Sequence, residues 1–219
     1  MRALVVGASG GIGAALIAAL RERGEVVGLS RSADGLDVTD EGSVAAALGG
    51  LEPGFDLIVV ATGALVIDGA GPEKTLRALD PQALAMQFAV NAIGPALVMK
   101  HALRLLPRDR VSRLAVLSAR VGSIGDNQLG GWYGYRAAKA ALNQLVRTAS
   151  VEARRTHPQS VLVALHPGTV ETGLAPALRA GHPAVTAEAA AGNLLRVLEG
   201  LGPEDTGGFY DWKGEVVPW

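Results

Sequence analysis

Tyr135 and Lys139 stand four residues apart in a stretch, 133–155, whose apolar spacing predicts one long helix. That separation puts both side chains on one helical face. A phenol near an ammonium group can hand over or accept a proton. Free tyrosine titrates near ~10, and lowering that by about three units takes roughly 4 kcal/mol. A cation about 4 Å away at an effective dielectric of ~20 supplies about that amount. Tyr133 has Ala137 rather than a lysine four residues on, and it is assigned to packing.

A second cluster is built for phosphate. Residues 3–6 form a short apolar run that enters Gly7-Ala8-Ser9-Gly10-Gly11-Ile12-Gly13 and then an amphipathic stretch to 23. A strand, a glycine turn and a helix in that order let a pyrophosphate reach the backbone at the helix N-terminus, where free N–H groups and the helix dipole favour anions. After the next strand, 25–29, the chain reads Ser30-Arg31-Ser32. An acidic residue there would bind a ribose diol; an arginine with two hydroxyls suits a 2′-phosphate, so the expected cofactor is NADP(H) in preference to NAD(H). Asp37 and Val38 follow, where Asp37 either holds the adenine amino group or closes a turn or helix.

These groups need a frame. Apolar runs predict strands at 3–6, 25–29, 35–38, 56–61, 113–117, 160–165 and 209–212. Helical spacing fills 12–23, 40–48 capped by Asp40, 80–106 opened by Asp80-Pro81 and bent at Pro95, 133–155, and 186–200 capped by Thr186. Alternation of this kind predicts an α/β fold: a Rossmann-type, doubly wound parallel sheet flanked by helices on both faces, in a single domain spanning 1–219.

Composition removes other chemistries. There is no cysteine, so thiolate catalysis, disulfides and cysteine-held metals are out, and four scattered histidines give no ligand cluster, so no metal is expected. The net charge of −1 gives no reason to expect a nucleic-acid partner. No uninterrupted apolar segment approaches the ~20 residues of a membrane span, and the expected location is cytoplasmic. His166 and the tryptophans are read as packing or surface residues.

Taken together, the motifs resemble the short-chain dehydrogenase/reductase family across essentially the whole chain. Gly7, Gly11 and Gly13 fit its G-x-x-x-G-x-G turn, and Asn91-Ala92-Ile93-Gly94 its N-x-x-G. Tyr135 to Lys139 fits Y-x-x-x-K, and Pro167, Gly168, Val170 and Thr172 fit P-G-x-V-x-T. Residues 118–139 are similar to the carbonyl-reductase and C-signal-like branch. The resemblance implies hydride transfer between a nicotinamide and a small carbonyl or alcohol substrate, with Tyr135 as general acid/base and Lys139 contacting the nicotinamide ribose. It implies cofactor contacts from Ser9, Ile12 and the strand-end segment Ala61, Thr62 and Gly63, and a homodimer or homotetramer. It also implies that Asn91 kinks its helix and holds a water that relays protons to Lys139; without partners, its buried amide would cost roughly 1–3 kcal/mol.

Two positions depart from the family. Ala61-Thr62-Gly63-Ala64 replaces the usual N-N-A-G, although small residues still let the backbone pass the cofactor. The serine that polarises the carbonyl lies three residues before a glycine; here Gly122 puts Ala119 at that place. Ser118 is the expected substitute, and Ser123 the alternative. The displaced serine also leaves open a nucleotide-binding signalling or redox-sensing protein with little turnover, and the fold admits an isomerase or epimerase. Residues 171–185 are short and apolar, as in a small lid.

Overall fold

The computed structural model describes residues 1–172 and 184–219; the expected lid lies largely outside them. Six strands form one parallel sheet: β1 (Arg2–Val6), β2 (Glu25–Leu29), β3 (Leu57–Val60), β4 (Ser112–Leu117), β5 (Ser160–His166) and β6 (Phe209–Asp211), ordered β2-β1-β3-β4-β5-β6. Alternate residues of each inner strand face opposite sides. Leu4, Val6, Ile58, Val60, Leu114 and Val116 pack with helices α3 (Glu41–Gly49), α5 (Gly94–Ala102) and α6 (Tyr133–Ala153). Ala3, Val5, Val59, Ala115, Val163 and Leu165 pack with α1 (Gly11–Arg21) and α7 (Ala187–Gly200) on the other side. Burial on both faces explains why the strands read as unbroken apolar runs.

The chain leaves β1 for β2 on one side and returns to β3 on the other. That reversal opens a crevice beyond the carboxyl ends of β1 and β3, which is where ligands of doubly wound sheets bind. The glycine turn leaves β1 there, and Ala61 to Gly63 leave β3 there.

Residues 35–38 are not the expected strand. Ser30 caps a four-residue helix, α2 (Arg31–Asp34), through Ala33 N, and Gly35 ends it in the left-handed region at φ 67°. Local capping outcompetes sheet pairing, and only Leu36 is buried. The segment expected as one helix over 80–106 also breaks differently. Asp80 caps α4 (Pro81–Phe88), a π-helical turn covers Ala89–Ile93, and α5 follows. Pro95 lacks the N–H that an α-helix would offer the Asn91 carbonyl, so the distortion falls on the turn before proline. The run Pro81–Leu105 meets the length and hydropathy of a membrane span, at mean hydropathy 1.3, and its Val98, Met99 and Ala102 are buried in the core.

The glycine turn is held by contact distances. A Cβ on Gly13 would lie 2.0 Å from the Gly7 carbonyl oxygen, whereas one on Gly10 would meet that oxygen at 3.4 Å. Gly13→Ala is expected to destabilise the fold by about 3 kcal/mol. Gly10→Ala is expected to cost within about 1 kcal/mol. Urea midpoints measure both, and equal shifts would contradict this reading of the turn.

Candidate active site

A cavity of about 770 Å³ follows the carboxyl ends of the strands. Ser9, Gly11 and Ile12 line it from the glycine turn, and Ala61, Thr62 and Gly63 from the end of β3. Ser118, Tyr135 and Lys139 line its far end, with Pro167, Gly168 and Thr172 opposite. A second cavity of about 470 Å³ adjoins it and adds Arg120, Trp132, Arg136 and Val170. Tyr135, Ala119, His166 and Thr172 line both.

Gly7 and Gly13 stand behind the lining. Gly7 takes φ 95° and its Cβ would lie 2.9 Å from the Ala61 carbonyl, so the turn passes directly over the end of β3. A Cβ on Gly11 would lie 2.6 Å from Thr172 Cγ2, which fixes how closely the two segments approach. The first turn of α1 has no side-chain cap, leaving its N–H groups to the cavity.

The helix α6 carries the proton chemistry. Tyr135 is 7% and Lys139 3% exposed. Trp132 begins the helix in the left-handed region at φ 53° and gives it no side-chain cap. Glu73 does that work from a distant loop: its Oε2 accepts from Gly134 N at 3.0 Å, and its carbonyl accepts from Trp132 N at 2.5 Å. Glu73 carries no periodic or motif signal in the sequence. Tyr133 opens the helix and is exposed rather than packed.

Lys139 donates to the Leu117 carbonyl at 3.0 Å, and among the described residues its other two N–H donors have no partner. Its Nζ sits 5.8 Å from the centre of the Tyr135 ring. Burial pushes the Lys139 ammonium down to about 8 and the Tyr135 phenol up to about 12. The expected lowering of Tyr135 by Lys139 is therefore absent from the cofactor-free fold: the lysine faces the ring, and desolvation dominates.

Asn91 is fully buried in the π turn. Its Oδ1 accepts from Ala64 N at 3.0 Å, and its Nδ2 donates to Ala64 O at 2.8 Å and Gln87 Oε1 at 2.7 Å. Gln87 donates onward to Leu65 O at 3.0 Å. The amide thus clamps the segment after β3. A Cβ on Gly63 would lie 3.0 Å from Asn91 Oδ1 and 3.4 Å from Lys139 Nζ, which ties that segment to both residues.

Ser118 reaches the cavity, but its hydroxyl donates to Asn143 Oδ1 at 2.6 Å. Asn143 Nδ2 faces the Gly122 carbonyl at 3.5 Å. The Ser118 hydroxyl is thus directed at Asn143. Ser123 is 1% exposed, accepts from Asp126 N at 3.1 Å and lines neither cavity. Asn143 could have been found from its place four residues after Lys139 on the same buried face.

At the other end, Ser30 is buried and its hydroxyl caps α2, so it is not free for a phosphate. Arg31 is exposed and makes no ion pair among the described residues. Asp37 closes a turn, accepting from Thr39 N at 2.9 Å and Thr39 Oγ1 at 2.7 Å, bonds that hold its carboxyl below the usual range. Val38 packs under α5, where a Cβ on Gly94 would meet Val38 Cγ2 at 2.9 Å. None of Ser30, Arg31, Asp37 and Val38 lines the 770 Å³ cavity.

The chain is similar to known proteins over most of its length. A family model described as enoyl-(acyl carrier protein) reductase matches residues 15–208. C-signal of Myxococcus xanthus is 40% identical over 139 residues, covering 62% of this chain and 78% of that protein. The 1-hydroxy-2-glutathionyl-2-methyl-3-butene dehydrogenase of Rhodococcus sp. (strain AD45) is 32% identical over 232 aligned positions, 99% of this chain and 98% of that one. Among solved structures, a short-chain dehydrogenase/reductase from Burkholderia multivorans with bound NADP superposes with TM-score 0.80 at 28% identity, over 100% of this chain and 99% of that one. The NADPH-bound carbonyl reductase from chicken fatty liver superposes with TM-score 0.81 at 26% identity, over 100% and 94%. With its strand order, glycine turn and Tyr135–Lys139 helix, the chain belongs to the short-chain dehydrogenase/reductase family of oxidoreductases.

Proposed function

We propose that the chain is an NADP(H)-dependent oxidoreductase that interconverts a small carbonyl compound and its alcohol, with Tyr135 transferring the proton. The observation that carries this reading is that the buried Tyr135–Lys139 pair and the uncapped N-terminus of α1 share one cavity.

The residues present fit the cofactor. Among the described residues Thr62 Oγ1 is buried in the cavity wall without a hydrogen-bond partner, and Lys139 has two unused donors. The first turn of α1 would hold the pyrophosphate, with Lys139 and Thr62 at the nicotinamide end and Arg31 at the 2′-phosphate. When bound, NADP(H) supplies or accepts the hydride. Tyr135 Oη gives a proton to the carbonyl oxygen in reduction and takes one from the alcohol in oxidation. Burial keeps the phenol protonated when the site is empty, so the oxidative direction needs positive charge close by. Lys139 supplies part of it, and the oxidised nicotinamide ring the rest. Exposed Met86 on α4 and Leu145 and Val151 on α6 are apolar groups that suit the homodimer or homotetramer expected from the resemblance.

Tyr135→Phe is expected to lower kcat for NADPH-dependent reduction of an aldehyde and ketone panel by about 10²- to 10⁴-fold. The affinity for NADPH, read by fluorescence titration, stays close to wild type. Retained turnover would overturn the assignment; no turnover by the wild type, with NADPH still bound, would favour a signalling or redox-sensing role. Arg31→Ala is expected to weaken NADPH binding about 10- to 100-fold and leave NADH unchanged, as follows from losing charge-assisted bonds to a phosphate. Equal effects on both cofactors would remove Arg31 from the 2′-phosphate site.

A further inference from the structure

Hydride transfer places negative charge on the substrate oxygen, and a donor besides the proton carrier stabilises it. In this chain Ala119 has no donor to give, and Ser118 has spent its own on Asn143. The polar side chains that line both cavities are Tyr135, His166 and Thr172. Thr172 has its methyl against Gly11, on the side of the glycine turn. In the second cavity Arg136 is tied to the Gly130, Gly131 and Val121 carbonyls, and Arg120 to Asp126.

His166 is placed differently. It ends β5, where Leu162 and Ala164 face α6 while Val163 and Leu165 face α7. Strand alternation carries the imidazole to the α6 side, the side of Tyr135 and Ser118. Its Nδ1 is sealed from solvent without a hydrogen-bond partner, and no described residue bonds to Nε2. A buried N–H without an acceptor is rarer than a bare buried lone pair, so the proton is assigned to Nε2. Burial lowers the ring's pKa to about 4, against an upward pull from Asp211 and with a push from Arg120, so the ring is neutral near pH 7. His166 lines both cavities, and a neutral imidazole there has an N–H to donate that needs no proton exchange to work.

We propose that His166 donates a hydrogen bond from Nε2 to the carbonyl oxygen of the substrate, filling the role that neither Ala119 nor Ser118 can fill. This rests on the reading of Tyr135 as the proton carrier: Tyr135 gives up its proton, and His166 keeps its own throughout.

The test has two arms. In the chain without cofactor, long-range ¹H–¹⁵N spectra of the histidine rings, assigned with His166→Gln, should show His166 neutral and protonated on Nε2 between about pH 6 and 8. A charged ring, or one protonated on Nδ1, overturns the proposal. In turnover with NADPH and the aldehyde and ketone panel, His166→Ala should lower kcat about 100-fold with the KM for NADPH held. Ala119→Ser added to His166→Ala should recover at least about tenfold, because the hydroxyl returns a donor to the same oxygen. Wild-type kcat in His166→Ala, or a loss that Ala119→Ser does not restore, overturns it. If His166→Ala does not fold, His166→Gln decides instead: a kcat within about tenfold of wild type supports a donor role, and a loss as deep as about 100-fold opposes it. An inactive Tyr135→Phe beside an active His166→Ala defeats this inference alone, whereas activity in both defeats the reading of Tyr135.

Discussion

An ammonium group taken out of water must be met by oxygen atoms or lose its proton, and Lys139 is held in that condition. One protein oxygen, the Leu117 carbonyl, receives it, and burial brings its pKa down to about 8. The carbonyl belongs to the last residue of β4, so the lysine is anchored at the carboxyl end of the sheet, where the cavity opens. Tyr135 lies one turn earlier on the same helix, and its position follows from that anchor.

The surrounding fold keeps the pair in register with the end of β3. The π turn ahead of Pro95 carries Asn91, which grips the backbone of Ala64 on both its N–H and its carbonyl. Glu73 pins the first turn of α6 from the loop between β3 and α4. One loop is thereby tied to both helices that flank the site. The glycines act in the same sense, since Gly7 rests on Ala61 and Gly63 lies against Asn91 and Lys139.

Much of this was legible in the sequence, for physical reasons. Strands covered on both faces read as apolar runs, and Asp40, Asp80 and Thr186 announced their helices because a cap needs only local partners. Residues 35–38 misled because a short apolar run after Gly35 resembles a strand, while the Ser30 cap that builds α2 lies outside it. Spacing showed that Tyr135 and Lys139 share a face but carried neither their separation nor their burial, and burial raises the phenol. Glu73 was invisible because its role exists only through the approach of a loop 61 residues away in sequence. Ser118 was suitable by position, and only the fold showed that its hydroxyl is directed at Asn143.

The account makes Tyr135 a phenol kept protonated by burial until a cation joins Lys139. The most direct measurement is the ultraviolet titration of Tyr135, taken as wild type minus Tyr135→Phe, with and without NADP⁺. Without NADP⁺ no ionisation from Tyr135 should appear below pH about 10, and with it the transition should fall by about two units or more. A Tyr135 that titrates at the same pH in both conditions would contradict the account.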